Sequence, residues 1–331
     1  ETHAAKIESN GIVTREGFTV TAKHIVVATN SPVNNKYLLH LRQYAYRTYV
    51  IGAKVKKGLL PRALWWDTGD HSVNKSIPPY HYVRTQHMDE NYDLLICGGE
   101  DHPTGLAEQE GLPEKSRYFA LENWARERFP IEEVIYRWSG QVMEPMDSLA
   151  YIGRNPVDKD NIYVVTGDSG NGMTYGSFAG MLVSDLVNGK KNKWERIFSP
   201  SRFNLLKSGG VFFKEVFGNL LAYLKSRPKG DEHNVRELPP GEGWIINQEG
   251  KKYGIFRDHV DGYHLVDAEC AHMKCIVKWN ADEKTWDCPC HGSRYSWKGH
   301  VMNGPANRDL HYHNFPASEL VPSEEAVPHH D

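Results

Sequence analysis

Cysteine is scarce in this chain, five residues in 331, which excludes the disulfide-dense scaffold of small secreted domains. An excess of one charge is lacking too. With 39 Lys and Arg against 42 Asp and Glu the net charge is −3, so no basic footprint argues for a nucleic-acid partner. No run of eighteen or more apolar residues occurs, and nothing reads as a transmembrane helix. The opening residues lack the charged, apolar and small-residue order of a secretory signal. A soluble, cytoplasmic protein is the expectation. A G-x-G-x-x-G dinucleotide fingerprint is also missing. The length allows two or three domains. Residues 1–8 enter a strand-like pattern at once, and the expectation is that upstream sequence precedes them.

Four of the five cysteines fall in two short boxes: Cys270, His272 and Cys275, then Cys288, Cys290 and His291. Read as donors, Cys270-x-His272 is followed, after fifteen intervening residues, by Cys288-x-x-His291. Two soft sulfurs suit one iron, and two imidazoles suit its neighbour. A structural zinc site is the alternative for such a donor set, although zinc ribbons usually space their cysteines C-x-x-C.

Both boxes, with His291-Gly292-Ser293 after the last donor, resemble Rieske 2Fe-2S domains. The resemblance implies Cys270, His272, Cys288 and His291 as cluster ligands. It also implies a disulfide between Cys275 and Cys290, as in the Rieske proteins of respiratory cytochrome bc complexes. Ser293 and Tyr295 match positions whose hydroxyls donate to a bridging sulfide and to a ligand sulfur, which raises the potential. Gly304, Pro305 and Ala306 resemble the loop that covers the cluster, with Asn307 where a further proline is usual. In that family the two histidines form an exposed tip, so His272 and His291 are expected as an open electron port.

Residues 1–195 alternate strand-like and helix-like patterns. A hairpin is expected over 12–22 with its turn at Glu16-Gly17, then a buried strand over 24–30. Apolar or alternating runs at 44–55, 63–66, 81–84 and 93–98 predict an antiparallel platform. Tyr118, Leu121, Trp124, Ala125 and Phe129 share one face of a helix predicted within 106–129 and stopped by Pro130. A strand over 134–138 is expected to give way to a polar loop. A strand over 161–166, the turn Gly167 to Thr174 and a helix to about residue 187 follow. Strand, glycine-rich turn and helix start together present backbone N–H groups suited to an anion or the polar edge of a flavin. Cys97, inside an apolar run, reads as a packing residue.

Segments 28–29, 98–102, 136–140, Asp147 with 151–154, and 167–174 occur in an order that resembles the C-terminal portion of FAD-dependent oxidoreductases of the D-amino acid oxidase and glycine oxidase class. The resemblance implies FAD in the full-length protein. It places Ala28, Thr29, Gly167, Ser169, Gly170, Asn171, Gly172, Met173 and Thr174 on the flavin side, while the βαβ unit for the ADP half is not in these residues. Where glycine-oxidase-like members hold a substrate carboxylate with arginine, Val142 stands here. Arg84, Arg137 and Arg154 are the remaining candidates for that role.

The expected architecture is α+β: a partial glycine-oxidase-like FAD oxidoreductase domain with an antiparallel sheet (1–195), a helical linker (196–232), an all-β Rieske domain (233–317) and a loose tail (318–331). Within the linker, Phe213, Val216, Phe217, Leu220, Leu221 and Leu224 form a helical stripe. The function expected is an FAD-linked oxidoreductase acting on a small molecule, its cluster relaying single electrons to or from a redox partner. A stand-alone electron-transfer protein, with the first domain as docking platform, is the alternative.

Overall fold

The computed structural model describes residues 2–33, 39–69, 80–106, 116–156, 158, 160–202, 235–248, 250–260 and 262–313. The helical stripe expected over 207–225 and the tail lie outside them. By contact the chain divides into two compact units, residues 45–142, and residues 1–44 with 143–331.

Strands β1 (Ala4–Glu8), β2 (Gly11–Thr14) and β3 (Thr19–Thr21) form an antiparallel meander. The expected turn is there, with Gly17 at φ 86°, a conformation that glycine adopts without a Cβ penalty. Strand β4 (Ile25–Val27) follows.

The smaller unit is built on β5 (Gln43–Lys56), β6 (Leu64–Trp66), β7 (Tyr82–His87) and β8 (Tyr92–Pro103), then helix α1 (Arg117–Arg126) and β9 (Glu133–Pro145). These strands make one sheet in the order β6-β7-β8-β5-β9. Leu121 and Ala125 of α1 pack with Tyr49, Ile51, Val83, Leu95 and Cys97, with Tyr118, Trp124 and Phe129 against the same cluster. The α1 face is therefore the one its periodicity predicts. Its end comes before Pro130, which disfavours helical backbone at Phe129, and Leu106 lies in a turn instead of the helix. The polar loop expected after Trp138 is strand: β9 runs on through Ser139, Gly140 and Gln141. Polar composition is overridden because the fourteen-residue β5 offers it a backbone edge to pair with.

In the larger unit β10 (Tyr151–Arg154) and β11 (Ile162–Thr166) join β4 in the order β10-β11-β4, with β11 and β4 parallel. Helix α2 (Gly172–Val187) lays Ala179, Leu182, Val183 and Leu186 on Ile152 and Tyr163, while Ile7, Ile25, Val27 and Ile162 form a second cluster. Short helix α3 (Glu195–Phe198) follows.

The C-terminal strands are β12 (Gly243–Gln248), β13 (Lys251–Arg257), β14 (Tyr263–Asp267), β15 (Lys278–Asn280), β16 (Thr285–Asp287), β17 (Arg294–Ser296), β18 (Val301–Asn303) and β19 (Tyr312–His313). They form two four-stranded antiparallel sheets, β12-β13-β14-β19 and β15-β16-β17-β18. Trp286 and Tyr295, both fully buried, sit in one core cluster with Cys270, Cys275, Cys288 and Cys290. A Cβ on Gly254 would stand 2.9 Å from the Trp286 ring, so glycine there lets the indole lie flat against β13.

Candidate metal centre and flavin-side loops

The β14–β15 loop carries Cys270 and His272, and the β16–β17 loop carries Cys288 and His291. Each loop closes on its own backbone. Cys270 N–H donates to Cys275 O at 2.8 Å and Lys274 N–H to Cys270 O at 3.0 Å; Cys288 N–H donates to Ser293 O at 2.8 Å and Gly292 N–H to Cys288 O at 3.0 Å. Lys274 and Gly292 take the left-handed conformation these tight turns require. The loops are joined by a disulfide between Cys275 and Cys290, whose Cα atoms are 6.5 Å apart.

The Cys270 and Cys288 thiols are free and buried, and the neighbouring Cys288 thiol lowers the Cys270 pKa. The His272 and His291 rings stand perpendicular, centroids 5.2 Å apart. Sulfurs of Cys275, Cys288 and Cys290 also lie within 4.8 Å of one another, but two of these are consumed by the disulfide and offer no thiolate. Burial depresses both imidazoles, His291 to about 4 with His272 adding to the effect. They stay neutral, the form in which an imidazole can ligate metal. Nδ1 of His291 is buried with no hydrogen-bond partner. A buried polar atom so placed costs about 1–3 kcal/mol unless something binds it. Two sulfur and two imidazole donors, one of them orphaned, fit a mixed-ligand iron-sulfur cluster.

Hydroxyls approach the sulfurs from beneath. Tyr295 Oη lies 3.2 Å from Cys270 Sγ and accepts the Ala271 N–H at 3.1 Å. Once Cys270 is a thiolate with no proton of its own, the phenol is the donor of that pair. Ser293 Oγ accepts the Ala306 N–H at 3.0 Å, and its hydroxyl helps lower the Cys270 pKa.

The expected exposed tip is corrected. His291 is 7% exposed and His272 half-buried, because His40, in a single 3-10 turn (Leu39–Leu41), stands edge-on to both rings. Nothing in the sequence marks His40, a lone histidine far from either box.

The flavin-side residues named from sequence gather at the carboxyl ends of the parallel strands β4 and β11, the edge at which open α/β sheets take ligands. Thr166 donates its hydroxyl to the carbonyl of Asn30, which ties the segment holding Ala28 and Thr29 to the one opening at Gly167. Gly167 has φ 74°, and a Cβ there would meet Pro145 at 2.6 Å. No side chain caps α2 at Asn171, and Met173 is 89% exposed. Two acids missed by sequence reasoning adjoin this turn. Glu144 accepts the Ser169 hydroxyl, and burial pushes the pKa of both Glu144 and Asp168 up.

Residues 1–186 match the FAD dependent oxidoreductase family, and residues 231–316 the Rieske [2Fe-2S] domain. The chain belongs to the FAD dependent oxidoreductase family. It is 33% identical over 309 residues to the Rieske 2Fe-2S iron-sulfur protein YhfW of Bacillus subtilis, covering 92% of this chain and 57% of that protein. A cytochrome b6-f complex iron-sulfur subunit of Microcystis aeruginosa is 36% identical over 108 residues, 31% of this chain and 54% of that subunit. The chain thus spans about half the length of these relatives. Among solved structures, glycine oxidase from Geobacillus kaustophilus is similar with a TM-score of 0.46 and 22% identity, covering 61% of this chain and 52% of that one. The family brings FAD, and the Rieske domain a 2Fe-2S cluster.

In this FAD dependent oxidoreductase the three candidate arginines already have partners of their own: Arg84 with Gln86, Arg137 with Glu122 and Arg154 with Glu195. Cys97 is fully buried, and burial pushes its thiol up to about 12, as a packing residue requires. No helix among the described residues is long and apolar enough to cross a membrane.

Proposed function

We propose that the protein is an FAD-linked oxidoreductase in which a Rieske cluster, on Cys270, His272, Cys288 and His291, relays single electrons between the flavin and an outside redox partner. The observation that carries this reading is the paired-loop site, with two buried free thiols and the orphaned His291 Nδ1 beside His272. When bound, the flavin supplies two-electron exchange with a small-molecule substrate, and the cluster passes one electron at a time.

The chain's own residues hold and tune. The Cys275–Cys290 disulfide braces the two loops against each other. Tyr295 and Ser293 direct hydroxyl protons at the sulfur side. The 28–29 and 167–174 segments present backbone groups to the flavin's polar edge. Val142 leaves the usual carboxylate-holding position without a cation, which favours a substrate other than a simple amino acid.

Composition tests this first. Protein from the full reading frame should contain two irons and two sulfides per chain, give a Rieske electron paramagnetic resonance signal on dithionite reduction, and show flavin absorbance. One zinc per chain and no iron signal would overturn the ligand assignment. A cluster without flavin would leave the electron-transfer protein with a docking platform.

A further inference from the structure

His40 is 3% exposed, yet it belongs to neither cysteine box. Its ring meets His272 at 4.4 Å and His291 at 4.9 Å between centroids, perpendicular to each. Its position is fixed from behind. Leu39 packs with Tyr151 and Val164 of β10 and β11, Arg42 N–H donates to Leu39 O at 3.0 Å, and Arg42 donates through its guanidinium to Arg202 O and Pro200 O. The residue covering the imidazoles is thereby rooted in the sheet that carries the flavin-side loops.

Two further approaches bring the C-terminal domain against residues 1–44. A Cβ on Gly304, in the loop expected to cover the cluster, would stand 3.3 Å from Cβ of Ser31. Ser31 is 4% exposed, and its carbonyl accepts the hydroxyl of Thr29 at 2.8 Å. Arg15 pairs with Asp309 at 3.0 Å. A loop expected at the flavin therefore abuts the loop expected to cover the cluster.

We infer that the cluster's immediate electron partner is the flavin-side region of its own chain, with the imidazole edge docked there and His40 as the positioning residue that holds both rings and excludes water from them. This rests on the relay reading above. The step served is the passage of one electron between flavin and cluster, one oxidised as the other is reduced, with no bond made or broken. A one-electron partner outside the chain completes the exchange.

The docking is tested in the full-reading-frame protein with Ser31→Cys and Gly304→Cys together, whose Cβ spacing is close to that of a disulfide. The expected result is a cross-link by mass spectrometry with the Rieske signal retained. Should that pair fail to assemble its cluster, Arg15→Lys offers an amine to Asp309 for zero-length carbodiimide coupling. Absence of coupling in a cluster-loaded protein would overturn the docking.

His40 is tested by deuterium modulation around the reduced cluster in D2O. His40→Ala should increase it and His40→Phe should leave it as in the wild type. Flavin-to-cluster transfer should slow in His40→Ala and be rescued in His40→Phe. Unchanged modulation in His40→Ala would refute the role. Because cross-linking and modulation need no flavin, their success in a flavin-free protein would sink the relay while leaving the docking intact.

Discussion

A phenol that accepts a backbone N–H has its proton left for another acceptor, and at Tyr295 the acceptor in reach is the Cys270 sulfur. Sulfur ligands carry more negative charge in the reduced cluster, so such a donor favours reduction. Hydrogen bonds to charged groups contribute about 1.5–3 kcal/mol, and each 1.4 kcal/mol of difference between redox states corresponds to about 59 mV. Tyr295→Phe and Ser293→Ala should each lower the midpoint potential by tens of millivolts, with the reduced-cluster spectrum retained in a redox titration. Wild-type potentials in both would show that the hydroxyls are not aimed at the cluster. These residues were legible because they keep fixed distances from His291 in the sequence. His40 was not, since its role arises only when the fold brings a distant 3-10 turn against the two rings.

At the scale of elements, charged side chains pin segments that apolar packing leaves loose. Arg294 of β17 is 1% exposed and bonds Asp287 at 2.9 Å and Thr285 at 2.9 Å on the neighbouring β16. Arg294→Ala strands a buried carboxylate and should destabilise the C-terminal domain by about 3–5 kcal/mol, measured by denaturant unfolding of the cluster-loaded protein. Arg202 likewise grips Asp147 through two bonds of 2.7 Å. Burial raises the Asp147 pKa, but Arg202 outweighs it and holds the carboxyl below its ordinary value of 3.8. The pair's contribution is full above that value and lost as pH falls through the lower, folded one. Arg202→Ala should therefore weaken the fold at pH 7 and flatten its acid dependence below about pH 4. The strand platform and the α1 face were readable from apolar periodicity. The length of β9 was not, because Ser139, Gly140 and Gln141 are strand only by virtue of the β5 edge they pair with.

At the scale of the molecule, a FAD dependent oxidoreductase region and a Rieske domain share one chain, and on the relay reading the contact between their cofactors runs through its own residues. The two halves were legible for different reasons. Metal donors need fixed spacing that survives in sequence, whereas the flavin-side loops needed an ordered set of short segments across residues 1–186. The docking of one half on the other was not legible, since Arg15, Ser31 and His40 carry no pattern. The most direct measurement is a single turnover in the full-reading-frame protein: the flavin is photoreduced anaerobically and the cluster followed by rapid-freeze electron paramagnetic resonance. The relay account predicts that the cluster signal rises as the flavin reoxidises, at a first-order rate independent of protein concentration. A cluster that stays oxidised, or one whose reduction rate scales with protein concentration, would contradict it.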